Sequence, residues 1–276
     1  MAHPPGSAGD MIPPDILALI PGCAEGEPPQ LVQPLPGGRG CNLVLRVDTG
    51  AGRFVLRQRR PPLDRPGAAA QMELRGQVLA ATAGIAPRVI NAALDGRWLL
   101  MDFIDAPLWT EDHLLSAEGV ARLGSRLEQL HALPAPAGVP AFDAELIANG
   151  YISQLQAGDA AAAAAHLPLV SRVRDLSQAI SGLAGNNVLN HGDLQIGNLL
   201  GTAPVMIDWE YAQIVDATYD IACLLTYYPR LEARLDRLLA SAGLSNLAEQ
   251  AVLTLQRERF ACLDRLWNAV NSTKAG

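Results

Sequence analysis

Four polar side chains that could carry out phosphoryl transfer lie in two short strings of the sequence, HGDLQIGN and IDWE: His191, Asp193, Asn198 and Asp208. Phosphoryl transfer passes through a loose transition state, so a protein contributes mainly by positioning groups and neutralising charge. A carboxylate has to accept or orient the acceptor hydroxyl, and hard oxygen ligands have to hold Mg²⁺ against the phosphates. Three of the four side chains bear the oxygen atoms that this chemistry requires.

The spacing of these residues favours the catalytic interpretation. Asp193 precedes Asn198 by five residues, which is the H-x-D-x-x-x-x-N spacing of kinase catalytic loops. Asp208 lies ten residues further on, directly after the apolar segment Val205 to Ile207, as a short hairpin requires. The alternative is that these Asp, Asn and Gly residues only form turns. Four residue types, their spacing and the flanking strands agree, and this favours catalysis.

The elements that must position these residues change type along the chain. LVLRV and RFVLRQ, joined by DTGAG, predict one β-hairpin, and RVINAAL with RWLLMDFI predicts another across Asp95-Gly96. Residues 70–83 read as one helix between the hairpins. After Pro107 a helical stripe follows a Ser116 cap. Its members are Val120, Leu123, Leu127 and Leu130.

We therefore predict an α+β fold in three parts. Residues 1–30 are rich in Pro and Gly and read as a tail with at most one short helix, around residues 16–20. Residues 31–104 form a small antiparallel β-sheet lobe with one helix. Residues 105–276 form a mainly helical lobe that carries the catalytic loop.

Composition excludes several classes of function. The net charge of −7 disfavours nucleic acid and anionic membrane surfaces as partners. The sequence has no run of 18 apolar residues and no signal-peptide pattern, so we expect a cytoplasmic protein. Lys274 is the only lysine, which disfavours Schiff-base chemistry, and the GxxxxGK[ST] phosphate loop does not occur. The four cysteines are scattered and read as reduced thiols.

HGDLQIGNLL together with IDWEYA resembles the aminoglycoside phosphotransferase and choline kinase superfamily, from Leu31 to the last helices. The resemblance implies a bilobal protein-kinase-like fold and a small-molecule kinase that uses ATP and Mg²⁺. It implies Asp193 as the catalytic base or hydroxyl-orienting carboxylate and His191 as an organiser of the loop. It further implies Asn198 and Asp208 as the Mg²⁺ ligands, and Asp220 as a cap on the loop.

The same resemblance assigns nucleotide contacts to the first lobe. Arg57 stands where the family places a phosphate-holding basic residue, and Glu73 in the following helix would be its ion-pair partner. Strand alternation puts Val55 on the same face as Arg57, so Val55 could pack on the adenine. Solvent-facing roles for Arg57 and Glu73 are the alternatives.

Two further segments of this lobe are candidates for nucleotide binding. LPGGRGCN would cover the phosphates with Gly38, Gly40 and Asn42, although a plain hairpin turn explains it nearly as well. Met101 to Phe103 would be the hinge whose backbone binds adenine. Buried strand packing explains Met101 and Phe103 equally well.

The acceptor is expected to be a small, cationic alcohol. Trp209 and Glu210 follow Asp208, and an aromatic face with a carboxylate suits a cation. The alternative is that Trp209 and Tyr211 fill the core beside the hairpin. Glu210 and FVLRQ resemble the choline, ethanolamine and thiamine kinase branch, so a thiamine-like substrate is the first choice and choline or ethanolamine the second. Aminoglycoside phosphorylation and a non-catalytic nucleotide-binding module are the alternatives. We expect a monomer or homodimer.

Overall fold

The computed structural model describes residues 11–23, 27–36, 42–60, 67–136, 138–183 and 185–274. The chain forms two compact units, Met1–Pro107 and Leu108–Gly276. The first unit carries an antiparallel sheet and the second is mainly helical, which confirms the predicted α+β class.

The first unit is built on a sheet of five antiparallel strands. Its elements are α1 (Pro14–Leu17), β1 (Leu31–Pro34), β2 (Asn42–Thr49), β3 (Gly52–Arg59), α2 (Gly67–Thr82), β4 (Val89–Ala92) and β5 (Trp98–Asp102). The strand order is β1-β2-β3-β5-β4. Both predicted hairpins are present, because β2 pairs with β3 and β4 pairs with β5. Gly96 turns the second hairpin with a φ of 75°, a conformation that favours glycine.

The N-terminal segment packs into the core of the first unit. Ile12, Ile16, Ile20 and Cys23 are buried. They share one hydrophobic cluster with residues of the sheet: Leu45, Val47, Phe54, Leu56 and Leu100. The Thr49 hydroxyl also donates to the carbonyl oxygen of Pro21 at 2.7 Å. Residues 11–23 therefore belong to the folded unit, which differs from the predicted tail.

The second unit contains seven α-helices and four short strands among the residues that the structure describes. The helices are α3 (Glu111–Leu115), α4 (Ala117–His131), α5 (Ala144–Gly158), α6 (Ala160–Ser181), α7 (Tyr219–Tyr227), α8 (Leu235–Ser241) and α9 (Leu247–Lys274). The strands are β6 (Asn187–Asn190), β7 (Leu199–Leu200), β8 (Val205–Met206) and β9 (Gln213–Asp216). In the described part of the chain, no helix has the length and apolar character needed to cross a membrane.

Local sequence signals explain where these helices begin. Ser116 caps α4 by accepting a hydrogen bond from the Gly119 N–H, and the four apolar residues of the predicted stripe are fully buried. Asp159 caps α6 in the same way through the N–H groups of Ala161 and Ala162. The alanine run at residues 160–165 is therefore part of this helix.

Two small antiparallel pairs hold the loop between β6 and β7. β6 pairs with β9, and β7 pairs with β8, so that Leu199 lies opposite Met206. We call residues 191–198 the HGD loop. It begins directly after β6 and ends directly before β7, so both of its ends are fixed by strand pairing.

Burial of the N-terminal segment leads to a stability prediction. Ile20 is fully buried, so Ile20→Ala should lower the free energy of unfolding by about 2–4 kcal/mol, the usual cost of a large-to-small change in a core. The neighbouring Leu19 is 43% exposed, and Leu19→Ala should cost less than about 1 kcal/mol. Urea denaturation of the full chain measures both. Equal costs for the two variants would contradict the packing of this segment.

Candidate active site

The HGD loop is anchored by the buried carboxylate of Asp220, which lies in the first turn of α7. One carboxylate oxygen accepts from the backbone N–H of His191 and the other from that of Gly192, each at 2.8 Å. The Asp220 N–H donates to the side chain of Asn190 at 3.2 Å. Burial raises the pKa of Asp220, while His191 and the two N–H donors act in the opposite direction. The contact is the loop cap that the sequence resemblance implied.

Glycine is required at position 192. Its φ is 81°, which is unfavourable for residues with a Cβ, and a Cβ at this position would overlap the carbonyl oxygen of Tyr211. The close approach brings the backbone of Tyr211 next to the HGD loop. Tyr211 therefore lies beside Gly192 in space although it is 19 residues away in sequence.

His191 is buried and lies inside the loop as a structural group. Its Nε2 donates to the carbonyl oxygen of Ile207 at 2.9 Å, and its ring packs edge-on against Trp209 with centroids 4.9 Å apart. The Nδ1 atom faces the backbone N–H of Asp193 at 3.4 Å. The ring thus links the loop to the segment that leads into Asp208.

Asp193 and Asn198 are brought into direct contact. The Asn198 Nδ2 donates to the Asp193 carbonyl oxygen at 2.9 Å and to its Oδ2 at 3.2 Å. These bonds occupy the amide nitrogen, and no described residue donates a hydrogen bond to the Asn198 Oδ1. The amide oxygen therefore has the chemistry of a metal ligand and is not committed to another described side chain.

Asp208 is placed across the β7–β8 hairpin from Asn198. The backbone N–H of Ile207 donates to the Asn198 carbonyl oxygen at 3.0 Å, and Asp208 follows directly. Asp208 has a φ of 62° and a ψ of 65°, and no other described residue except glycine has a positive φ. This left-handed conformation costs a non-glycine residue about 1–2 kcal/mol. Such strain clusters at functional sites.

The donor set fits Mg²⁺ better than a metal that needs several protein ligands. Among the described residues there is no group of three His, Cys, Asp or Glu side chains that could hold a metal. Mg²⁺ is usually bound through one or two carboxylates, with water and substrate phosphates completing the shell. Asn198 and Asp208 supply one amide oxygen and one carboxylate, which is enough for such a site.

Trp209 does not occupy the position expected of a substrate contact. Its side chain is fully buried, and its Nε1 donates to the carbonyl oxygen of Met206 at 2.8 Å. The prediction that Trp209 contacts the acceptor is therefore corrected, because its ring is covered by protein. Glu210 and Tyr211 are only half-buried, and the Tyr211 hydroxyl accepts from the Trp267 Nε1 at 3.0 Å.

In the first unit, Arg57 and Glu73 form a buried ion pair, with exposures of 7% and 3%. Arg59 reaches the other oxygen of Glu73 at 2.7 Å. Glu73 therefore connects two arginines of β3, of which only Arg57 was predicted as its partner. The signal was available, because residues two apart on a strand share a face.

The other residues that were predicted to contact the nucleotide lie in different parts of the first unit. Val55 shares the face of Arg57, opposite Arg46 and Met101 in the strand register. Asn42 is buried at the start of β2, and its Oδ1 has no hydrogen-bond partner among the described residues. Gly38 and Gly40 lie outside the residues that the structure describes.

Met101 and Phe103 of the predicted hinge already make hydrogen bonds within the first unit. The Met101 side chain is buried, and its sulfur accepts from the Gln77 Nε2 at 3.4 Å. The N–H of Phe103 donates to the Arg53 carbonyl oxygen at 3.0 Å, and the Arg46 guanidinium lies 4.6 Å from the Phe103 ring centroid. An adenine contact through the Phe103 N–H would have to replace this bond.

The fold and the site together define a protein-kinase-like phosphotransferase. Residues 32–255 match the phosphotransferase enzyme family, and the chain belongs to this family. The predicted superfamily and the predicted phosphotransferase class are confirmed by this match. No curated protein sequence matches the chain significantly.

Solved structures show the same fold at low sequence identity. A choline/ethanolamine kinase family protein from Mesorhizobium loti is 21% identical, with a TM-score of 0.71 over 95% of this chain and 86% of that one. A choline kinase from Streptococcus pneumoniae is 14% identical, with a TM-score of 0.68 over 90% and 87%. A spectinomycin phosphotransferase in complex with ADP and spectinomycin is 15% identical, with a TM-score of 0.55 over 90% and 94%.

The Asp220 anchor leads to a prediction about the HGD loop. Asp220→Asn replaces one acceptor oxygen with an NH₂ group that faces a backbone N–H, so it should lower the free energy of unfolding by about 1–3 kcal/mol. Amide hydrogen exchange of residues 191–198 should become faster, because the loop loses an anchor. Asp159→Asn is the matched control, since Asp159 also accepts from two backbone N–H groups but at an exposed helix start. Unchanged exchange in Asp220→Asn would contradict the anchoring role.

Proposed function

We propose that this chain is an ATP- and Mg²⁺-dependent kinase that phosphorylates a hydroxyl of a small, cationic metabolite. A thiamine-like alcohol is the first candidate, and choline or ethanolamine is the second. The observation that carries the proposal is the hydrogen-bonded pair of Asp193 and Asn198, with Asp208 placed across a two-stranded hairpin from Asn198. Family membership supports the reaction class.

Asp193 is proposed to act on the acceptor hydroxyl. The hydroxyl oxygen forms a bond to the γ-phosphorus, the bond from that phosphorus to the oxygen of ADP breaks, and the hydroxyl proton passes to Asp193. Asn198 and Asp208 would hold Mg²⁺, which when bound neutralises negative charge on the phosphates. The anchored backbone of the HGD loop fixes the position of Asp193, and such positioning is the main contribution that a protein makes to this reaction.

Arg57 is proposed to bind the nucleotide phosphates. Its ion pair with Glu73 holds the guanidinium at a fixed place on β3, and the planar group suits phosphate oxygens. Arginine fills this role because the only lysine of the chain is Lys274. The spectinomycin phosphotransferase of similar fold holds ADP, which supports nucleotide use by this chain.

A cationic acceptor is supported by groups close to the HGD loop. Tyr211 contacts Gly192 through its backbone and is hydrogen-bonded to Trp267 through its hydroxyl. Two aromatic side chains therefore meet close to the Gly192 end of the HGD loop, and aromatic faces attract quaternary or thiazolium cations. Glu210 adds a carboxylate next to Tyr211 in the sequence. The net charge of −7 also favours approach of a cation.

The test is ADP release by the full chain with Mg·ATP and each of four acceptors: thiamine, choline, ethanolamine and spectinomycin. We expect one of the cationic alcohols to stimulate ADP release and to gain one phosphate by mass spectrometry. Asp193→Asn should lower the turnover by about 100-fold or more, since general base catalysis contributes that much. Asp175→Asn, a change on the exposed face of α6, should leave turnover unaltered.

Other results would reject parts of the proposal. Stimulation by spectinomycin alone would make the chain an antibiotic phosphotransferase. Binding of Mg·ATP without transfer to any acceptor would support a non-catalytic nucleotide-binding module. Full turnover in Asp193→Asn would remove Asp193 from the reaction.

A further inference from the structure

The side chain of Gln195 makes a short hydrogen bond to Asp193. Its Nε2 lies 2.6 Å from the Asp193 Oδ1. An ionised carboxylate only accepts hydrogen bonds, so the amide nitrogen of Gln195 must be the atom that faces it. Gln195 is half-buried and extended, directly before the short 3₁₀-helix Ile196–Asn198. The function proposed above gives this residue no role.

Three donors surround the Asp193 carboxylate in the part of the chain that the structure describes. Gln195 is close to Oδ1, Asn198 donates to Oδ2 at 3.2 Å, and the Tyr227 hydroxyl lies at 3.5 Å from Oδ1. Burial raises the pKa of Tyr227, so its hydroxyl remains a donor. The Gln195 bond is the shortest of the three and the Tyr227 contact is at the limit of a hydrogen bond. Gln195 and Asn198 together therefore set the plane of the carboxylate.

We propose that Gln195 is a positioning residue for phosphoryl transfer, which holds the Asp193 carboxylate in the orientation that receives the acceptor hydroxyl. The proposal rests on the function proposed for Asp193. A carboxylate oxygen has two lone pairs, and the Asn198 bond occupies one at Oδ2, so the other is left for the acceptor while Gln195 holds Oδ1. A neutral amide supplies this donor at every pH without adding charge beside Asp193.

The loop backbone does not depend on the Gln195 side chain. The Gln195 carbonyl oxygen accepts from the Asn198 N–H at 2.9 Å, and the Ile196 N–H donates to the Tyr228 hydroxyl at 3.0 Å. Asp220 holds the start of the loop by its two backbone bonds. A change confined to the Gln195 side chain should therefore remove the contact to Asp193 and keep the loop folded.

Gln195→Met tests this role, because it keeps the length of the side chain and removes the donor. With thiamine and choline as acceptors, kcat should fall about tenfold to hundredfold, as expected when a reacting group is misplaced. The KM for ATP should stay within about twofold, because the phosphate-binding residues are unaltered. Gln156→Met makes the same change at an exposed position of α5 and should alter neither value.

A double-mutant cycle separates positioning from a purely structural effect. If Gln195 acts through Asp193, Gln195→Met should cost less than about twofold in an Asp193→Asn background. An equal cost in both backgrounds would overturn the proposal, as would a wild-type kcat for Gln195→Met when Asp193→Asn is impaired. Failure of the function proposed for Asp193 gives a different result from failure of the Gln195 proposal, because Asp193→Asn would then keep full turnover.

Thermal unfolding is measured for Gln195→Met and for Gln195→Ala. Loss of folding in both variants would show a structural role for Gln195 and reject the proposal.

Discussion

A buried carboxylate holds the backbone of the loop on which the chemistry depends. Asp220 accepts from two consecutive N–H groups, those of His191 and Gly192, and so fixes the chain immediately before Asp193. Buried backbone donors are costly to leave unpaired, so this contact is maintained by the folded state itself. The side chains of the HGD loop then need only short-range contacts to reach their positions, such as those of Asn198 and Gln195 with Asp193.

The β7–β8 hairpin brings Asp208, which is ten residues after Asn198 in the sequence, next to the end of the HGD loop. Strand pairing puts Ile207 opposite Asn198, and Asp208 follows in a left-handed backbone conformation. The surrounding contacts must offset the strain at Asp208, and His191 contributes through its bond to Ile207 and its packing on Trp209. The buried Trp209 thus supports the site from within through its packing against His191.

The sequence predicted the parts of this molecule that have a strong local pattern. Strand alternation placed Val55 and Arg57 on one face, and the helical stripe after Ser116 is buried as expected. The packing of residues 11–23 was not predictable, because short apolar segments between prolines show no period. Nor could adjacency to Asp208 decide whether Trp209 faces substrate or core, since successive residues of a tight turn point in different directions. The contact of Gln195 with Asp193 depends on side-chain reach, which sequence patterns do not encode.

Asn198 and Asp208 are proposed to bind a divalent metal together with a nucleotide, and electron paramagnetic resonance of Mn²⁺ measures this binding. The full chain should bind Mn²⁺ far more tightly with ATP than without it. Asp208→Ala should weaken Mn²⁺ binding in the presence of ATP by about tenfold or more, because it removes the carboxylate ligand, while Asp175→Ala on the exposed face of α6 should not. Equal Mn²⁺ affinity in wild type and Asp208→Ala with ATP present would exclude Asp208 as a metal ligand.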